Sequence, residues 1–555
     1  MKSTKHYIEI FISMRYKKGL LFLIFIAYFF SPQNVASKTC DIFIKSKSIG
    51  KLPRVLRPSV FAGWADKRAL MKLCEFRHLG FIRLTLSSLI SDCTSFEEYK
   101  KRLHRSKSTF LKIFHEISSR GGKIILEISK TPYWLSSNPS RRDTCNGWKV
   151  FEAYPPKDFE SYERFVKYTV NFFSNEMHMD LIYEIWAEPD LKGRCMWRGN
   201  RNDFLKLIKH FIKGAKRANP NSKIALPSLS SWRGKIGGKD ALNPEDSLLF
   251  AVLNYASKTR VKEIGLKRLP IDYISFHSFD VRPTLFIFTI ETIKRWLWHF
   301  GYNKTKILIT EWNGFRKNLT KNAVYYFAML NIFHKMGIYG QTFASLQDFH
   351  LGFLEFHEDY GMLTKKYVIK KPIFNAMKFL DMMDGDMLEI QSDSQSVGII
   401  ATKLGKKIDI ILWNFSDPIE NTLKLLSKQY LIKLQRYINK GSIDKEKDLS
   451  LARNIYARMK RLSTQKQNIF LHIDKMFGFK EYKCEIYAIN DSSSNAYYYY
   501  AKTIQRGKSQ REAIISAINH QEIKKIKEIK IKGLDKPLNI LMEPYSVYML
   551  RISGT

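Results

Sequence analysis

Eight short β-branched runs recur between residues 55 and 385, each followed by a longer amphipathic stretch. No other feature of the chain constrains its fold so strongly. The runs are VLRPSVFAG (55–63), FIRLTLS (81–87), KIILEIS (123–129), LIYEIWAEP (181–189), KIALPSLS (223–230), IDYISFHSF (271–279), KILITEWN (306–313) and GQTFASLQ (340–347). Each is apolar almost throughout, as expected of a parallel strand buried on both faces. The intervening stretches have helical spacing. In 159–177, Tyr162, Phe165, Val166, Thr169 and Phe173 recur three and four residues apart. The segment 202–218 stops at Asn219-Pro220, and 322–336 is followed by Gly337 in the C-cap position. Eight strands alternating with helices predict an α/β architecture, a (β/α)8 TIM barrel spanning residues 38–385.

After Lys371-Pro372 the rhythm changes to alternating strands: SVGIIATKL (396–404), KIDIILWNF (407–415), YKCEIYAIN (482–490) and SVYMLRIS (546–553). Residues 386–555 are therefore expected to form a C-terminal antiparallel β-sandwich packed on the barrel. A basic, partly helical insertion interrupts it at about 420–467. IKKIKEIKIKG (523–533) reads as an exposed edge strand guarded by lysines. The four tyrosines 497–500 read as an exposed loop or strand face.

The N-terminus suggests a compartment. Lys2, Lys5, Arg15, Lys17 and Lys18 precede the apolar run GLLFLIFIAYFF (19–30), which is followed by the polar stretch SPQNVAS. This is the order of a signal peptide, residues 1–37, with Val35 and Ser37 suited to cleavage before Lys38. The apolar run is shorter than the ~20 residues that span a bilayer, and an uncleaved anchor is the alternative. The expected location is secreted, periplasmic or cell-surface. All six cysteines follow the cleavage site, and their even number is compatible with disulfides in an exported protein.

Lys and Arg total 92 against 52 Asp and Glu, a formal charge of +40, and the proposed leader accounts for little of it. Such an excess suits nucleic acid, an anionic membrane face or an acidic polymer, although a lysine-rich composition bias explains it equally well. No nucleic-acid-binding motif is present, and a leader argues against that partner. A phosphate-binding loop is ruled out at Gly507-Lys508-Ser509, where Lys502 stands in place of the first glycine. His115-Glu116 lacks the second histidine of a zinc protease, and no two cysteines form a CxxC pair, so neither cofactor nor metal is expected.

Two acids stand out by position. Glu188 ends the fourth run, in Glu184-Ile185-Trp186-Ala187-Glu188-Pro189, and Glu311 ends the seventh, in Leu308-Ile309-Thr310-Glu311-Trp312-Asn313. Strand alternation puts Glu184, Trp186 and Glu188 on one face, and Ile307, Ile309 and Glu311 on one face. A barrel builds its active site at the carboxyl ends of its strands. Two acids across that mouth can flank a glycosidic bond, one protonating the departing oxygen and the other attacking carbon or activating water.

These motifs carry a resemblance. YEIWAEPDL (183–191) looks like the acid/base segment of clan A glycoside hydrolases, and ILITEWNG (307–314) looks like their nucleophile strand. Over roughly residues 50–555 the chain most resembles glycoside hydrolase family 39, which contains β-xylosidases, α-L-iduronidases and biofilm-matrix hydrolases. The likeness includes Arg83, Pro132-Tyr133-Trp134, Trp197, His277, Gly361-Met362-Leu363 and Lys371-Pro372-Ile373. It implies Glu188 as acid/base and Glu311 as nucleophile in a retaining double displacement on a polysaccharide, acidic ones included. It further implies that Arg83 holds Glu311 ionised and that His277 contacts substrate or nucleophile. Glu188 needs a raised pKa, which Trp186 or Trp312 and the negative Glu311 could supply. Trp134, Trp197 and Trp312 either stack on sugar or pack in the core.

The pattern departs from the family at Ala187, where relatives carry an asparagine that binds the hydroxyl beside the reacting carbon. Either the substrate lacks or modifies that hydroxyl, another residue such as Asn313 substitutes, or activity is weak. Many relatives also place a histidine two residues after the arginine, where this chain has Thr85. A catalytically weak or inactive barrel that binds carbohydrate or matrix is the alternative reading.

Overall fold

The computed structural model describes residues 39–554 apart from 92, 146–147, 194–195, 281–282, 316–318, 350–355, 357–358, 395, 416–465, 475–480 and 535. The expected leader and nearly all of the expected insertion lie outside the described residues. No helix among the described residues is long and apolar enough to cross a membrane.

Eight parallel strands close into the expected barrel. They are β1 (Val60–Phe61), β2 (Phe81–Thr85), β3 (Lys123–Ile128), β4 (Leu181–Ile185), β5 (Lys223–Leu229), β6 (Tyr273–Ser278), β7 (Lys306–Trp312) and β8 (Gly340–Ala344), with β8 pairing back to β1. Phe81, Ile125, Ile182, Ala225, Tyr273 and Leu308 fill the lower interior. Gly340 admits this layer, because a Cβ there would come within 2.4 Å of the Phe81 ring. The opposite strand faces pack on the outer helices, which form where the spacing predicts them: Phe159–Asn171, Arg201–Ala218, Leu319–Lys335 and Pro372–Met382. Asp158 caps the first of these, and Asn200 and Asp203 form a capping box on the second.

Among the described residues outside the barrel, nine strands form one sheet, in the order Lys524–Lys532, Glu481–Ile489, Val547–Gly554, Lys407–Asn414, Val397–Leu404, Asp386–Ser392, Thr39–Lys51, Gln467–Ile473, Leu538–Met542. Strands from both ends of that order share one apolar cluster, including Tyr482, Cys484, Ile540 and Met542, so the sheet folds over its own core as a sandwich. Three expectations need correction. Thr39–Lys51 belongs to this sheet, not to the barrel, because alternating Cys40, Ile42 and Ile44 insert into the sandwich core. Its pairing with Gln467–Ile473 is parallel, so the sandwich is not wholly antiparallel. The tyrosine run lies in the helix Ala496–Gln505, whose Ala496 and Tyr500 pack against the following helix, Gln510–Asn519.

Lys524–Lys532 is an edge strand, as its lysines suggest. Part of its charge is neutralised, since Lys525 pairs with Glu485 (3.1 Å) and Glu528 (2.7 Å). Ile400, Ile411, Trp413 and Met549 join the helix-layer core of the barrel, and Trp413 stacks on Phe327 at 5.8 Å. Cys40, Cys74 and Cys484 are free thiols.

Candidate active site

The site begins inside the upper barrel, where apolar layers give way to charge. The Arg83 side chain on β2 is fully buried and divides its guanidinium among three carboxylates: Nε to Glu184 (2.5 Å), Nη1 to Glu311 (2.6 Å) and Nη2 to Glu127 (2.8 Å). The Phe61 ring lies 4.8 Å from its Cζ. Burial works against the charged guanidinium, but the three acids outweigh it and raise the arginine's pKa. One cation cannot neutralise three acids, two of them fully buried, and the Glu127 carboxyl is pushed up to about 7 by burial, against the pull of Arg83.

Glu311 reaches this network only because β7 slips by one residue. Leu308 faces the interior, while Ile307 and Ile309 face the helices. Strict alternation would therefore turn Glu311 outward with the isoleucines. Along the β6–β7 ladder Phe276 pairs with Ile309 and His277 with Glu311, so Thr310 is an extra residue, a bulge. It turns Glu311 into the mouth and Trp312 into the core. Glu184 and Trp186 are likewise separated: Glu184 bonds Arg83 inside, whereas Trp186, at φ 62°, packs edge-on against Trp197 at 4.9 Å.

Glu188 follows at φ 50°, its backbone N–H donating to the Ser228 carbonyl at 2.8 Å. Asp190 ties the same turn to the loop after β5, accepting from the Ser230 N–H (2.8 Å), the Ser230 hydroxyl (2.8 Å) and the Ser231 N–H (3.2 Å). His277 on β6 is buried between the two acids, with Nδ1 2.9 Å from Glu188 Oε1 and Nε2 3.9 Å from Glu311 Oε1. Burial disfavours the charged ring, but Glu311 and Glu188 outweigh it, so the His277 pKa is raised. For Glu311, burial is the largest influence and raises its pKa, while His277 and Arg83 pull it down. The net direction is therefore opposite to the expectation drawn from Arg83 alone.

A carboxylate oxygen of Glu188, a nitrogen of His277 and a carboxylate oxygen of Glu311 all lie within 4.8 Å of one another. The same three donors are of the kind that could hold a divalent ion.

The aromatic and amide candidates have other work. Trp312 is fully buried, donates from Nε1 to Gln341 (2.7 Å) and stacks on Tyr326 at 5.5 Å. Trp197 is 5% exposed and donates to the Asn200 carbonyl. Half-buried Trp134 packs among Phe96, Tyr99 and Phe165. These rings pack in the structure. Asn313 donates to the carbonyls of Ala344 (2.5 Å) and Tyr360 (3.1 Å) and accepts from the Gly314 N–H, so its amide cannot replace the one missing at Ala187.

Sequence reading missed Glu127 as a site residue and Glu184 as a partner of Arg83. Each is an acid within an apolar strand run, and that was the available signal, because a carboxylate buried on both faces of a sheet requires a cation. Lys130, buried just beyond β3 at φ 64°, was also missed. Burial lowers its pKa to about 8 while Glu152, Glu127 and Glu188 hold it up.

Known proteins share this arrangement at the level of family and fold. The family model for glycosyl hydrolases family 39 matches residues 56–419. A β-xylosidase from Caldicellulosiruptor saccharolyticus is 23% identical over 332 residues, 54% of this chain and 61% of the relative, so the chain spans less than two thirds of that protein. An α-L-iduronidase from Drosophila melanogaster is 28% identical over 144 residues, 24% of this chain and 21% of the relative. Among solved structures, a monomeric β-xylosidase from Caulobacter crescentus superposes with a TM-score of 0.67 at 13% identity, covering 93% of this chain and 99% of its own. A family 39 enzyme from Xanthomonas axonopodis also gives 0.67, at 12% identity, covering 94% and 98%. With the family model covering most of the barrel and both acids at its mouth, the chain belongs to glycosyl hydrolases family 39.

Proposed function

We propose that this protein is a secreted, retaining glycoside hydrolase that cleaves a polysaccharide by double displacement. The observation that carries the mechanism is the approach of Glu188 and Glu311 oxygens to within 4.8 Å. Retaining enzymes hold their carboxyl groups ~5 to 5.5 Å apart, whereas an inverting pair leaves ~6.5 to 9.5 Å for water. Glu311, oriented by Arg83, attacks the anomeric carbon while Glu188 protonates the departing oxygen. Glu188, oriented by His277, then takes a proton from the water that releases the sugar.

Ala187 narrows the substrate. With Asn313 committed to backbone carbonyls, the hydroxyl beside the reacting carbon lacks the amide that relatives use, which favours a sugar in which that hydroxyl is absent or substituted. The +40 charge and the iduronidase relative favour testing uronate-containing polymers first. The basic, apolar and small-polar order of residues 1–37 supports export.

Hydrolysis of neutral and uronate-containing polysaccharides, with Glu311→Gln as control and the product anomer read by NMR, tests this reading. Release of sugar with retained configuration by the wild type alone is expected. Ala187 also favours a second reading, a carbohydrate-binding protein without turnover. Equal, negligible release by both proteins, with both binding polymer, would decide for it.

A further inference from the structure

With the four candidate tryptophans unsuited to stacking on sugar or only partly available for it, a different set of rings borders the acids. From Phe61, under Arg83, ring contacts run outward to Trp64 (6.4 Å), from Trp64 to Phe349 (6.3 Å), from Phe349 to Tyr360 (6.2 Å) and from Tyr360 to Phe279 (5.3 Å). Trp64 follows β1, Phe279 follows β6 two residues after His277, and Phe349 and Tyr360 follow β8. The barrel order places β6, β7, β8 and β1 side by side, so the rings arc over the half of the mouth that holds Glu311, with Glu188 opposite.

The arc is anchored from beneath. The Asp359 carboxylate accepts the backbone N–H groups of both Phe349 (2.7 Å) and Tyr360 (2.8 Å). Asp348 accepts the Gly361 N–H (2.8 Å) and pairs with buried Lys371 (2.6 Å). Asn313, two residues after the nucleophile, donates to the Tyr360 carbonyl. Trp64, Phe349 and Tyr360 are half-buried, and Phe279 is 38% exposed. The rings meet edge to face and each keeps part of its surface exposed, on a hydrogen-bonded base beside Glu311, and such partly exposed rings suit the apolar C–H faces of sugars.

We propose that Trp64, Phe349, Tyr360 and Phe279 form a stacking rim for sugar units beyond the one attacked by Glu311, on the side that is retained when the leaving group departs. This inference rests on the glycosidase reading and makes the substrate a chain with at least two units on that side.

The test uses the full-length chain and oligosaccharides of two to six units, prepared from xylan and from uronate-containing polymers. Calorimetry on Glu311→Gln measures affinity against chain length. The same series on Glu311→Gln carrying Phe279→Ala or Tyr360→Leu measures what the rim adds. Affinity is expected to rise with length in the parent, and each ring variant should lose roughly tenfold of that gain. A length gain untouched by either ring variant, or no gain in the parent, overturns the rim. Unchanged thermal melts of Phe279→Ala, an exposed position, separate lost stacking from misfolding. Hydrolysis by the wild type is scored separately, so a failed glycosidase reading shows as binding without turnover, and a failed rim shows as turnover without length dependence.

Discussion

His277 joins the two acids: its Nδ1 lies 2.9 Å from Glu188 while its Nε2 faces Glu311 at 3.9 Å. In the proposed mechanism the ring thus orients Glu188 as proton donor and adds positive character beside Glu311 as nucleophile. His277→Ala should lower kcat about 10- to 100-fold with a smaller effect on KM. It also removes an influence that holds the Glu311 pKa down. The acid limb of kcat/KM should therefore move to higher pH, because Glu311 must lose its proton to attack. A profile with unmoved acid limb would assign His277 to packing alone.

Glu188→Ala and Glu311→Ala should differ in rescue as well as in rate. Each should lose at least about 10³-fold on natural substrates. On an aryl glycoside with a good leaving group, Glu188→Ala still forms the glycosyl-enzyme, and azide then replaces the base-activated water. Recovery with azide giving a glycosyl azide of retained configuration is expected for Glu188→Ala. Glu311→Ala, which cannot form that intermediate, should yield the inverted azide if it reacts at all.

The buried trio on Arg83 makes stability depend on pH through Glu127. Its folded pKa of about 7 lies above the usual 4.5, so the folded state holds a proton that the unfolded chain releases. Stability from this group is full below about 4.5 and falls as pH rises through about 7. Glu127→Gln should flatten that slope, and the difference in unfolding free energy between pH 5 and pH 8 should shrink by about 1–3 kcal/mol in urea titrations.

Lys371 and Asp348 form a buried ion pair beneath the β8 loop. Lys371→Met leaves Asp348 without its counterion and should cost about 3–5 kcal/mol. The Asp348 carboxyl, already pushed up to about 6 chiefly by burial, should then take up a proton at still higher pH. Thermal melts at pH 5 and 8 check this, with the larger loss expected at pH 8.

Trp312→Phe separates core from substrate contact. It breaks the bond to Gln341 and removes part of a ring packed among Tyr325, Tyr326, Phe333 and Phe343. Stability should fall by about 1–3 kcal/mol. A raised KM without that loss would return Trp312 to the sugar site.

The barrel was legible because both faces of its strands are buried, so each one announces itself as an unbroken apolar run. The positions of Glu188 and Glu311 could be read for the same reason, as acids where such runs end. Their orientation could not. Alternation assigns Glu311 to the face of Ile307 and Ile309, and only the bulge at Thr310, a property of pairing between β6, β7 and β8, turns it inward. The tryptophans were ambiguous in principle, since a ring next to an acid in sequence can point into either layer. Thr39–Lys51 was missed because its partners lie hundreds of residues away, and nothing local distinguishes it from a first barrel strand.

That strand sets the order in which the molecule can be finished. Thr39–Lys51 is 13 residues long, and its two neighbours are residues 386–392 and 467–473. It is synthesised before both of its neighbours, so Ile42 and Ile44 wait for their partners until the barrel and half of the second module have followed. Contacts this distant in sequence form slowly, and an unpaired apolar strand invites association with other chains. Expression of residues 52–385 alone would free the barrel from this delay but leave Ile400, Ile411, Trp413 and Met549 missing from its outer core. The rate-limiting step in producing active protein is therefore expected to be closure of the second sheet, far from Glu188 and Glu311.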